Sequence, residues 1–236
     1  MKYILLFFLP FFLTAQVNYS FPTNQNAYEG GMEALYKDLH DGLIKDSIKV
    51  CSNADEVYRM KVLVDENANV KFVHEFDTQY VESNFCAFEI AKKSLKYLTK
   101  WNAPEVNGKK VKALFEFYFS PSDLINNFSP GYKAENFLTS ASFKNRGIKE
   151  FQQQFSKCFD FGDFEFTEIE FTVNFEINTK GEIQFIFIEP DYGNKSFTNM
   201  ILGCLETKEK WEPGKYRNTP VITKIKLPIK ATITKN

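Results

Sequence analysis

The chain has 236 residues, room for one large domain or two small ones, and its 29 Lys plus Arg against 30 Asp plus Glu give a net charge of -1. That balance argues against a nucleic-acid binder, which is expected to carry a clearly basic domain. Apolar residues at 44% and charged residues at 25% exclude disorder and a multi-span membrane protein, and 26 Phe point to a core of rings on β-rich segments.

Lys2 precedes an apolar run from Tyr3 to Leu13, broken only by Pro10 and followed by Thr14, Ala15 and Gln16. A bilayer span needs roughly 20 apolar residues, so the run reads as an export signal over residues 1–15, cleaved after Ala15. Leu13 stands where a small residue is preferred, which leaves an uncleaved N-terminal anchor as the alternative. No later segment reaches the length of a membrane span.

Helical spacing predicts a helix near Met32 to Ile44, and alternation predicts strands near Val57 to Val64 and Val70 to Phe76. A helix near Asn84 to Thr99 and a strand from Val111 to Phe119 follow. Pro121, Asn126, Asn127, Pro130 and Gly131 mark residues 120–142 as a linker. The pattern then returns: a helix from Ile148 to Cys158, an alternating strand from Ile169 to Ile177, and a turn at Asn178 to Gly181. A partner strand from Ile183 to Phe187, a helix around Phe197 to Leu205 and a strand from Val221 to Ile229 close the series. Each half reads helix, strand, strand, helix, strand. The fold class is α+β, two tandem units over residues 28–119 and 143–233 with helices on one face of a short antiparallel sheet.

Sequence spacing supports duplication. Trp101 and Trp211 align at an offset of 110, which also carries Val111 to Phe119 onto Val221 to Ile229. Upstream, an offset of 113 pairs Val70 to Phe72 with Ile183 to Phe185, and one of 116 pairs Gly31, Leu35 and Leu39 with Gly147, Phe151 and Phe155. Export makes Cys51, Cys86, Cys158 and Cys204 disulfide candidates, with three pairings open. Cys158 and Cys204 both fall on apolar helix faces, so they either bridge each other or lie free and buried. No C-x-x-C spacing points to zinc or thiol redox chemistry.

The order of elements, Gly30-Gly31 with Leu35 in the first helix, and Lys210-Trp211-Glu212-Pro213-Gly214-Lys215 followed by Pro220-Val221 and Leu227-Pro228-Ile229 resemble the TonB C-terminal domain family. The second copy matches more closely. The first keeps only Trp101 and Gly108-Lys109, and its hairpin reads Asp65-Glu66-Asn67-Ala68-Asn69 where the family has Gly. The resemblance implies a periplasmic, non-catalytic protein that binds an outer-membrane receptor segment or another envelope component in transport across the outer membrane, the segment adding as a strand to a sheet edge. The edge residues it implies are Val221, Thr223, Lys224, Ile225, Lys226 and Leu227, and the motif residues are Trp211, Pro213, Gly214 and Lys215. Homodimerisation through edge strands is a related expectation. Lys224, Lys226, Pro228 and Lys230 equally suit the protection of an edge against aggregation. The alternative function is a periplasmic module that binds cell-wall glycan (peptidoglycan) or a small apolar ligand in a Phe-lined groove between the copies. The chain has too little proline and too short an N-terminal segment to span a periplasm as an energy transducer does.

Catalytic signals are missing. His40 and His74 belong to no metal or nucleophile motif. Glu165, Glu168, Glu170 and Glu176 could pair as sugar-cleaving acids, and their place on an alternating strand reads instead as a solvated face. No cofactor is expected. Lysine-rich runs from Lys92 to Lys112 and from Lys208 to Lys235 suggest either a basic side for an anionic partner or ordinary solvation. Trp101 and Trp211 are either binding anchors or lids on their cores.

Overall fold

The computed structural model describes residues 17–144, 146–158, 168–206 and 210–232. The expected export signal and Glu165 lie outside them. The fold is α+β. In chain order the main elements are β1 (Val17–Asn18), α1 (Gly31–Lys45), β2 (Tyr58–Val64), β3 (Val70–Phe72), α2 (Thr78–Ser83), α3 (Phe85–Ser94), β4 (Lys112–Phe119), α4 (Pro121–Ile125), α5 (Ile148–Cys158), β5 (Glu168–Ile177), β6 (Ile183–Glu189), α6 (Lys195–Leu205) and β7 (Thr223–Thr232). Two sheets carry the architecture, one in the order β1-β4-β2-β3 and one in the order β6-β5-β7. Among the described residues no helix is long and apolar enough to cross a membrane.

The sheets share one pairing scheme. In the first, Val64 faces Ala113 on β4 and Val70 on β3. In the second, Ile177 faces Thr223 on β7 and Ile183 on β6. These registers map onto one another at offsets of 113 and 110, the same ones that align the two halves in sequence. The hairpins match atom for atom. Asp65 Oδ1 accepts from the backbone N–H groups of Asn67 and Asn69, and Asn178 Oδ1 accepts from those of Lys180 and Glu182. Asn69 then donates its side-chain amide to Asp65, and Asn178 donates its amide to Glu182, so donor and carboxylate have traded ends. The left-handed position is Gly181 at φ 78 in one hairpin and Ala68 at φ 62 in the other, where an L-residue is strained.

Each sheet buries one face against helices. Leu35, Tyr36, Leu39 and Leu43 of α1 pack with Tyr58, Met60, Val62 and Val64 of β2. Phe151 and Phe155 of α5, with Phe197 and Ile201 of α6, pack with Phe171, Val173 and Phe175 of β5. Each such ring removed from water contributes about 1.5–3 kcal/mol. One disulfide per unit ties its helical layer: Cys51, after α1, bonds to Cys86 in α3, and Cys158, ending α5, bonds to Cys204 in α6.

Three expectations change. Residues 120–142 are not a spacer. Ser120 caps α4, Leu124, Tyr132 and Ala134 lie in the first core, and Ala141 lies in the second. The loop-forming residues shape the segment and its apolar residues anchor it. The strand expected to run to Phe76 stops at Phe72, since the chain turns to bury the Glu75 carboxylate. The helix expected from Asn84 to Thr99 ends its α-helical run at Ser94, and a short helix that was not expected, α2, precedes it, started by the Asp77 side chain, which accepts from Tyr80 N–H.

Candidate functional site

β7 is a sheet edge. All ten of its residues pair with β5, and among the described residues no strand pairs with its other side. Ile225, Leu227 and Ile229 point into the second core, while Lys224, Lys226 and Lys230 alternate outward. Pro228 has no N–H to give the ladder, so it marks 224, 226, 228 and 230 as the positions whose backbone faces away from β5. The Pro228 carbonyl accepts from Gln152 of α5 at 3.4 Å, in keeping with that direction. In the first sheet the corresponding edge, that of β4, is occupied. β1 pairs with it in parallel, Val17 facing Lys112 and Asn18 facing Ala113.

Val221 does not belong to that edge. Val221 and its neighbour Ile222 precede β7 and, with Tyr216, are buried in the first unit's core. Two consecutive apolar residues break the alternation of the strand that follows, and the second one has to be covered from the other side. Tyr118 of β4 reaches across and donates its hydroxyl to the Ile222 carbonyl at 2.7 Å.

The motif residues build a support for this arrangement. Trp211 is buried against Phe143, Phe151 and Phe175 with ring centroids 4.9–5.7 Å away, so it is a lid on its core. Trp101 sits edge-on to Tyr28 and Phe115 in the first unit. A Cβ on Gly181 would lie 1.9 Å from the Trp211 carbonyl oxygen, and one on Gly214 would lie 2.3 Å from Thr223 Cγ2. Glycine at both positions lets the arch around Trp211 lie flat on the hairpin and on β7. Pro213 is half-buried beside Gly214. Lys215 is exposed and its backbone pairs with Thr139 and Pro220.

The faces of the two sheets away from their helices meet over part of their area, around the buried Arg59, Lys61 and Glu176, while Glu168, Glu170 and Lys230 on the same face of the second sheet stay exposed. Arg59 and Lys61 of β2 meet Glu176 of β5 at 2.8 and 3.4 Å, and both also meet Glu75 at 3.0 Å. Lys224 of β7 meets Glu116 of β4 at 2.8 Å. The two polar faces therefore close on each other through three cations and three carboxylates. Glu176, read from its alternation as solvent-facing, is buried at this join. Burial alone would raise the Glu75 and Glu176 carboxyls, but the Arg59 guanidinium and the Lys61 ammonium, with the hydrogen bonds these carboxylates accept, together hold both below the usual range. Burial opposes the charge on Arg59, and Glu116 and Glu176 keep it firmly protonated.

Beside this network a cleft of about 280 Å³ opens between the sheets, lined by Tyr19, Phe76, Phe185 and Phe187 with Lys61, Lys224, Glu116 and Glu176 at its base. Sequence reasoning missed Arg59, Glu75 and Glu116. Their available signal was a charge set between large side chains: Arg59 between Tyr58 and Met60, Glu75 between His74 and Phe76, and Glu116 between Phe115 and Phe117.

The remaining candidates are structural. His40 Nδ1 lies 2.7 Å from the Leu124 carbonyl and its ring stacks on Phe128, while exposed His74 stands edge-on to Phe72. Glu168 and Glu170 are exposed and pair with Lys230. Lys96 and Lys100 pair with Asp46 and Asp38 at the surface, the pattern of a solvated helix stripe. Glu56 approaches Cys51 and Cys86, but both sulfurs are committed to their disulfide. Comparison of the chain with family models, with curated proteins and with solved structures found no match.

Proposed function

We propose that this chain is a binding protein of the periplasm, without catalytic activity and related to the TonB C-terminal domain family, that captures an extended segment of an outer-membrane receptor or other envelope partner along β7. One observation carries the reading. The edge of β4 is covered by an added strand, whereas the corresponding edge of β7, ten residues long, has no strand partner among the described residues. The molecule thus uses strand addition on one sheet and offers the same kind of edge on the other. Backbone groups supply the affinity in that mode, and the lysines outside the edge keep it from pairing indiscriminately.

The test is capture of outer-membrane receptors from native envelopes by the wild-type chain and by two variants at one position. Lys226→Pro removes an outward N–H and should abolish capture, while Lys226→Ala removes only the side chain and should retain it. Equal capture by wild type and Lys226→Pro would overturn the reading. Recovery of peptidoglycan fragments in place of a protein would move the function to cell-wall binding.

A further inference from the structure

Three large apolar side chains that remain exposed, Tyr19 at 50%, Phe76 at 75% and Phe185 at 43%, converge on the cleft between the sheets. Such convergence marks a contact surface more often than chance exposure does. Tyr19 stacks on Phe187 with centroids 4.3 Å apart, and Phe76 lies 5.7 Å from Phe185, so the rings form two facing pairs. Phe185 sits where the register between β6 and β5 slips, and its φ is 50, which a bulky side chain adopts only when held there. A bulge of this kind re-aims a side chain, here toward the cleft.

The polar groups at the base favour one kind of head group. An ammonium can donate three hydrogen bonds. Lys61 has two carboxylate partners, Glu75 and Glu176, and Lys224 has the Glu116 carboxylate and the Tyr19 carbonyl at 3.4 Å. Behind them, Arg59 Nε is buried without a hydrogen-bond partner and Nη1 has only the Glu116 carboxylate at 3.9 Å, so donors outnumber the acceptors that reach them. Glu176 already accepts from Arg59, Lys61 and Gln184. A cationic ligand would find its place over an aromatic ring taken, because Lys61 Nζ lies 5.3 Å from the centre of the Phe185 ring.

We infer that the cleft between the two sheets binds a small apolar carboxylate, with its body against the Tyr19, Phe76, Phe185 and Phe187 rings and its carboxylate between Lys61 and Lys224. The volume of about 280 Å³ lies near the lower end of small-molecule sites, which run from about 300 Å³. The body would be a medium alkyl chain or a fused aromatic ring.

Isothermal titration calorimetry on the full chain, with decanoate and 2-naphthoate as probes, tests this. Decan-1-ol and decyltrimethylammonium serve as neutral and cationic controls. The expected result is one carboxylate bound per chain. Binding should weaken about tenfold in Phe185→Ala and in Lys224→Gln, recover in Lys224→Arg, and be unchanged in Lys96→Gln, at an exposed surface pair of the first unit. Binding of decanoate alone would point to an acyl ligand, and binding of naphthoate alone to an aromatic acid. The inference is overturned if neither acid binds, if either control binds as tightly, or if the affinity survives Phe185→Ala.

Discussion

The two sheets share element order, pairing register and hairpin chemistry, yet differ at their edges and in their turns. β4 has β1 beside it and β7 has no strand beyond it among the described residues; the first hairpin strains Ala68 where the second uses Gly181. One backbone plan therefore tolerates unequal local solutions, provided that the helix-facing cores and the shared polar face stay filled. The second unit has glycine at the left-handed turn position and an open edge, and the first has its edge covered by the chain's own N-terminal strand.

The join between the sheets is the place to break this relation most severely. Arg59→Met leaves Glu75 and Glu176 buried without their main partner and is expected to cost about 3–5 kcal/mol, read from urea denaturation. Lys230→Met, at an exposed pair on the same sheet as Glu176, should leave the midpoint in place. Removing either disulfide, as Cys51→Ala with Cys86→Ala or Cys158→Ala with Cys204→Ala, should cost about 2–4 kcal/mol. The sequence separations of 35 and 46 are similar enough that the two losses should agree closely. The hairpins should answer with opposite signs. Gly181→Ala drives a methyl into the Trp211 carbonyl at a positive φ and is expected to destabilise by about 3 kcal/mol. Ala68→Gly relieves strain and should stabilise by about 0.5–1 kcal/mol, both read from thermal midpoints.

Acid should weaken the same join gradually. Glu75 and Glu176 have folded values below the ordinary glutamate range, so their contribution is complete above about pH 4.3 and is lost as pH falls through the folded values. A stability series from pH 7 to pH 3 should show this as a fall confined to its acid end. A Glu176→Gln variant, less stable at pH 7, should fall less steeply there.

Much of the fold could be read from the residues. Alternation in Ile169 to Ile177 and in Val111 to Phe119, and helical spacing in Leu35, Leu39, Phe151 and Phe155, reflect burial of one face, which composition records directly. The shared pairing scheme was legible because the offset of 110 that aligns Trp101 with Trp211 also aligns β4 with β7, and the offset of 113 aligns the two hairpins. What covers the second face of each sheet was not legible. Alternation tells a polar face from an apolar one, but a polar face covered by another polar face has the same residue types as one covered by water. Glu176 therefore looked solvent-facing, and Arg59 gave no reason to be singled out. Val221 was misplaced for a related reason: its burial comes from β4 and its neighbours, remote in sequence, and the strand it precedes gave no sign of them.

Val221 and Ile222 are seated in the first core and run directly into β7. A pull on β7 would be borne by its ladder to β5 and, at its N-terminal end, by this pair of side chains and the Tyr118 hydroxyl that holds the Ile222 carbonyl. A load on β7 would thus be shared between the cores of both units.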